Sequence, residues 1–111
     1  MDIQTEDAVA AAIRKVDPVH DLGSSALAEA LLAELAESGY ELVRLPAPAV
    51  DDDFRTEWPV PEINQWAGVF LRQSDGRVGL DGVPTPLESR QAFAVAAALI
   101  AAARHVQEAA E

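Results

Sequence analysis

The chain has 111 residues, enough for one hydrophobic core and too few for two, and half are hydrophobic against 24% charged, a globular balance. Nineteen acidic against eight basic residues give a net charge of -11, which opposes direct binding to nucleic-acid phosphate or to anionic lipid. Cysteine is absent, which removes disulfides, thiolate nucleophiles and cysteine-based zinc sites.

The first predicted element is a helix over 5–16. Thr5 stands at its cap, Glu6 and Asp7 in the first turn and Arg14 and Lys15 in the last, matching the helix dipole at both ends. Val9, Ile13 and Val16 form a narrow apolar stripe, and Asp17-Pro18 stops the helix. After the linker VHDLG, a second helix is predicted over 25–38, capped by Ser24 or Ser25, striped by Leu27, Leu31 and Leu35, and ended by Gly39. YELVRLP then alternates as a strand over 40–45, and Pro46 ends it.

Residues 46–65 hold four of the seven prolines and the triplet Asp51-Asp52-Asp53, which predicts a long surface loop. A hairpin over 66–73 and 77–82 follows, with Asp75-Gly76 as a two-residue turn. That turn sets Leu71 opposite Leu80 and Gln73 opposite Val78, with Val69, Leu71, Val78 and Leu80 on one face. Phe70, Arg72 and Arg77 fall on the other.

The last predicted helix covers 86–108. It opens on TPLE, with Thr85 as cap, Pro86 in the first helical position and Glu88 closing a capping box. Its centre, QAFAVAAALIAAA, runs for twelve uncharged positions from Ala92, well short of the ~20 apolar residues that span a bilayer. A helical wheel sets Phe93, Val95, Ala96, Leu99, Ile100, Ala103 and Val106 toward the sheet, leaving Ala94, Ala98 and Ala101 on the far side. The expected fold is therefore a single α+β domain over 1–111. It has two N-terminal helices, a three-stranded antiparallel sheet with one hairpin, and a long alanine-rich helix packed on that sheet.

From Ser24 onward, the order α-β-β-β-α and the alanine-rich last helix resemble double-stranded-RNA-binding domains. That resemblance implies a fold and no binding activity, because PLESRQA offers only Arg90 where the family presents a lysine-rich stretch to phosphate. In style, ALAEALLAELAESGYELVRLP is similar to small acidic, alanine- and arginine-rich proteins of actinobacteria and their phages. This likeness implies a cytoplasmic accessory protein, for a phage one that acts on a host protein. The acidic start MDIQTEDAVAAA, unlike the basic start of a secretory signal, agrees with a cytoplasmic expectation.

Residue by residue, the chemistry is sparse. Asp17, His20 and Asp21 cluster in a linker without a second group at ligand spacing, and read as a solvated connector. His105 reads as a surface residue near a helix end. The aspartate triplet lacks the alternate spacing and the glycine of a calcium loop, and reads as a mobile acidic segment. There is no phosphate-cradling glycine loop and no nucleophile elbow. No catalytic, metal or cofactor residue is predicted.

Trp58 and Trp66 bracket PVPEINQ, and two readings of them stand. Either they pin a loop to the core, or with Phe70 they form a recognition surface beside an exposed sheet face. The expected function is that of a non-catalytic protein-binding module, pairing with another protein or with itself as a homodimer. Its contact residues would be Ala94, Ala98, Ala101, Trp58, Trp66 and Phe70. An acidic mimic of DNA and a small enzyme are the alternatives.

Overall fold

The computed structural model describes residues 3–110. The one-domain expectation also includes Met1, Asp2 and Glu111, which lie outside the described residues. The fold is α+β, and the chain divides into two compact units, Met1–Leu42 and Val43–Glu111.

The first unit is a pair of packed helices, α1 (Ile3–Val16) and α2 (Ser24–Glu37). Helix α1 starts two residues before the expected cap, so Thr5 lies inside its first turn. The link between the helices is built on Asp17, whose buried carboxylate accepts hydrogen bonds from the backbone N–H of Asp21 (2.9 Å) and Leu22 (3.4 Å). His20 takes a left-handed φ of 57° within this turn. The expected serine cap of α2 is not made: Gly23 occupies the cap position without a side-chain bond, and Ser24 is the first helical residue. The other end is as predicted. Gly39 has φ 88°, its N–H reaches the Ala36 carbonyl, and the Tyr40 N–H reaches that of Leu35, the paired bonds of a Schellman motif. Leu27, Leu31 and Leu35 are half-buried, and α2 has no fully buried residue.

The second unit is an antiparallel sheet in chain order: β1 (Val50–Asp51), β2 (Thr56–Pro59), β3 (Gly68–Arg72) and β4 (Arg77–Asp81), followed by helix α3 (Ser89–Ala110). The strand expected over 40–45 does not form. None of its residues pairs with the sheet, and half-buried Leu45 packs on the core instead. The supposed loop over 46–65 instead supplies two strands, so the sheet has four strands where three were expected. From Ser24 the order is α-β-β-β-β-α, one strand more than the double-stranded-RNA-binding order. Of the aspartate triplet, Asp51 ends β1 and Asp52 and Asp53 enter the turn to β2, with Asp52 Oδ1 accepting the N–H of Phe54 and of Arg55, both at 2.8 Å.

The hairpin forms with a shifted register. Leu71 faces Val78 and Val69 faces Leu80, because Gln73, Ser74, Asp75 and Gly76 all belong to the turn. The Gly76 N–H reaches the Arg72 carbonyl at 2.9 Å with φ 70° at Gly76, and Asp75 Oδ1 accepts the Arg77 N–H at 3.1 Å. A slip of two residues keeps every side chain on its expected face.

Helix α3 begins three residues after Pro86. Glu88 is at the cap, its carbonyl accepting the Ala92 N–H, and Gln91 Oε1 takes the Glu88 N–H at 3.0 Å, the returning half of a capping box. The helix is also turned relative to expectation. Ala98 (1% exposed), Ala101 and Ala102 face the sheet, while Phe93 (55%) and Ile100 (46%) face outward. The cause is Trp58. Strand β2 aims this indole, 1% exposed, into the layer between helix and sheet, and Ala98, Ala101 and Ala102 leave it room there beside Val95.

Candidate protein-binding face

Alternation along the strands sorts the sheet into two faces. Thr56, Trp58, Val69, Leu71 and Val78 point toward α3. Glu57, Pro59, Gly68, Phe70, Arg72, Arg77, Gly79 and Asp81 share the outer face, away from that core. Phe70 is half-buried because its ring lies across Gly79, where a Cβ would come within 2.4 Å of it. Aromatic carbon thus covers a stretch of strand that has no side chain of its own.

Trp66 stands at the end of this face and is 74% exposed. Its backbone is firmly held. Asn64 Oδ1 accepts the N–H of Trp66 and of Ala67, both at 2.8 Å, and Asn64 Nδ2 donates to the Gly82 carbonyl at 3.2 Å. Gly82 has φ 64°, and a Cβ there would meet the Trp66 carbonyl oxygen at 3.0 Å. With Pro59, Phe70, Arg55, Glu57 and Asp81, Trp66 borders a shallow hollow of about 350 Å³. Arg55 and Glu57 form an ion pair at its rim. At the hairpin end, Arg72 Nε donates to Asp75 Oδ1 at 2.9 Å. This guanidinium holds the Asp75 carboxyl below the ordinary carboxylate range, and Asp75 in turn raises Arg72.

The structure therefore separates the six residues predicted for contact. Trp66 and Phe70 lie together on the outer face. Trp58, Ala98 and Ala101 are core, and Ala94 is half-buried against them. Trp58 takes the first of its two readings, pinned to the core, and the three alanines are corrected because the helix face that receives Trp58 was missed. Asn64 was missed as well, although a side chain that accepts its own backbone two and three residues on is a recurrent turn device. In the first unit, Val9, Leu32, Leu35, Ala36, Tyr40 and Leu42 line a separate apolar groove of about 340 Å³.

The titratable residues fall into structural roles. Buried Thr56 donates its hydroxyl to Asp51 at 3.1 Å and accepts from Gln73 Nε2 at 3.1 Å. His105, expected at the surface, is half-buried edge-on to Trp58 (5.5 Å, 74°), with Nε2 3.8 Å from Asp51. Here the carboxylate stands between hydroxyl and imidazole. Activating a hydroxyl needs the imidazole between the other two, so this trio is not a nucleophile with its base. Among the described residues no group of three or more His, Asp or Glu side chains is placed to hold a metal ion. No helix among them is long and apolar enough to cross a membrane.

Comparison with known proteins gives no matching family model, no matching curated protein and no matching solved structure.

Proposed function

We propose that the chain is a non-catalytic protein-binding module and that the outer face of its sheet is the contact surface, with Trp66 as anchor and Phe70 as floor. One observation carries this reading: a tryptophan that is 74% exposed on a backbone fixed by Asn64 and Gly82. Tryptophan buries a large area at small entropic cost and is enriched among residues that dominate binding energy. A pinned backbone lowers that cost further. The rim of Arg55, Glu57 and Asp81 supplies polar registration. The partner is another protein, in keeping with an accessory role of the kind suggested by the style of the sequence.

The test is affinity capture with the intact chain and with Trp66→Ala in parallel. A partner held by the wild type is expected to be lost from the variant, by at least about 2 kcal/mol of binding. The melting temperature should hold, since an exposed side chain costs within about 0.5 kcal/mol. An identical set of captured proteins from both chains overturns the assignment of this face.

A further inference from the structure

Strand β4 is an edge of the sheet, with β3 on one side only. Edge strands are templates for pairing and are usually blunted by charge or cover. The five residues Arg77, Val78, Gly79, Leu80 and Asp81 have a particular symmetry. Folded back on itself about Gly79, an antiparallel copy sets Arg77 opposite Asp81 and Val78 opposite Leu80.

We infer that β4 pairs with the β4 of a second copy of this chain across a two-fold axis at Gly79. The pairing joins two four-stranded sheets into one of eight strands. Arg77 and Asp81 share the outer face, so the axis generates two opposite-charge cross-strand pairs. Neither group is satisfied within one chain. Arg77 reaches only Asp75, at 3.6 Å, and Asp75 is already held by Arg72, while Asp81 makes no ion pair among the described residues. On the inner face, Leu80 (51% exposed) comes to lie against Val78 of the other copy. Gly79 meets its own equivalent, with the Phe70 ring of each copy lying over its own Gly79 on the outer face.

A five-residue ladder is small beside the ~800 Å² that a stable interface buries on each partner. Helix α3 adds to it. One of its flanks carries Ala101, Arg104 and Glu108 and turns toward Pro46, Pro48 and Trp58, on the β2 side. The opposite flank, of Ala92, Ala96, Leu99 and Ala103, is uncharged and on a helical wheel lies away from that β2 side. The axis leaves both α3 helices on one face of the joined sheet, the inner face that also carries Leu80. The pairing is distinct from the outer-face contact proposed above and does not require it.

The experiment is sedimentation equilibrium of the full chain, with single variants and their mixture. The wild type is expected to be a dimer. Arg77→Asp sets acid against acid and Asp81→Arg sets base against base, and each alone should weaken dimerisation about tenfold or more. Mixed, the two variants restore both opposite-charge pairs, and native mass spectrometry should detect the heterodimer in preference to either homodimer. Circular dichroism of each variant checks that the fold persists. Trp66→Ala should remain dimeric, so this inference and the proposed function fail separately. A monomeric wild type, dimers unaffected by either single variant, or no preference in the mixture overturns the inference.

Discussion

The two units carry their apolar residues very differently. In Val43–Glu111 nine buried residues, from Trp58 to Ala102, make one continuous core between helix and sheet. In Met1–Leu42 the leucine stripe of α2 is only half-buried, and Ala12 and Asp17 are the buried side chains among the described residues. A piece near ~40 residues has little interior to gain, and helices of this length are marginal on propensity alone. Helical pattern and buried core are thus separate matters. Helix α1, whose apolar and polar residues separate most clearly by face, has Ala12 as its buried side chain among the described residues, and α2, whose separation is weakest, has none.

The largest expected effect tests where the stability resides. Ala98→Glu places a carboxylate in the Trp58 layer with no partner, and should cost about 4 kcal/mol or more, abolishing the main thermal transition. Ala12→Glu, at the buried alanine of the first unit, should remove part of the helical signal and leave the main transition within about 0.5 kcal/mol. Circular dichroism and near-ultraviolet melts of both variants check this. A cooperative main transition retained by Ala98→Glu would show that the alanine side of α3 is not core.

That variant also marks the point where the sequence misleads. From QAFAVAAALIAAA alone, Ala98→Glu reads as a probe of a free surface, because an amphipathic wheel assigns the larger residues inward. The wheel is sound when helix meets helix or a flat aliphatic sheet. Here a neighbouring strand contributes an indole, and volume complementarity turns the helix toward its alanines: Val95, Leu99 and Val106 keep their expected place at the core, while Phe93 and Ile100 give way to Ala98 and Ala101. The strand itself was legible: Thr56, Trp58 and Val60 alternate with Glu57 and Pro59, a period of two. Prolines and an aspartate triplet hid it. Pro59 is tolerated because it lies beyond the end of two-residue β1, where no ladder donor is missed. Of the contact residues, Trp66 and Phe70 were legible as aromatic, but Asn64 and Gly82, which fix the display of Trp66, act through the backbone and leave little trace in composition.

A smaller effect concerns the hairpin of the second unit. Gly76→Val puts a β-branched residue at φ 70°, and should cost about 1–2 kcal/mol although nothing crowds the site. Chemical denaturation should report it as a lower midpoint with an unchanged slope. Gly79→Ala in the same hairpin acts by another route, since its Cβ must displace the Phe70 ring. An unchanged midpoint for Gly76→Val would mean that the turn relaxes to another conformation at no cost.

The smallest effect contrasts the two units through pH. In the second unit the Asp75 carboxyl is lowered chiefly by its hydrogen bond to Arg72. A lowered acid contributes stability above its unfolded pKa, and loses it as pH falls through the folded value. In the first unit Lys15 is raised chiefly by its hydrogen bond to Glu34, at 2.8 Å. A raised base contributes below its unfolded pKa, and loses it as pH rises through the folded value. Acid should therefore loosen the hairpin turn and alkali the helix pair. Both pairs are exposed and screened by salt, so local signals and not the melting temperature should register the change. Amide shifts of Gly76 and Arg77 are expected to move as pH falls below the ordinary carboxylate range, with Asp75→Asn abolishing the response. Side-chain shifts of Lys15 should move only above the ordinary lysine range, and Glu34→Gln should bring that midpoint down toward it. A Lys15 midpoint unmoved by Glu34→Gln would show that the pair does not persist in solution.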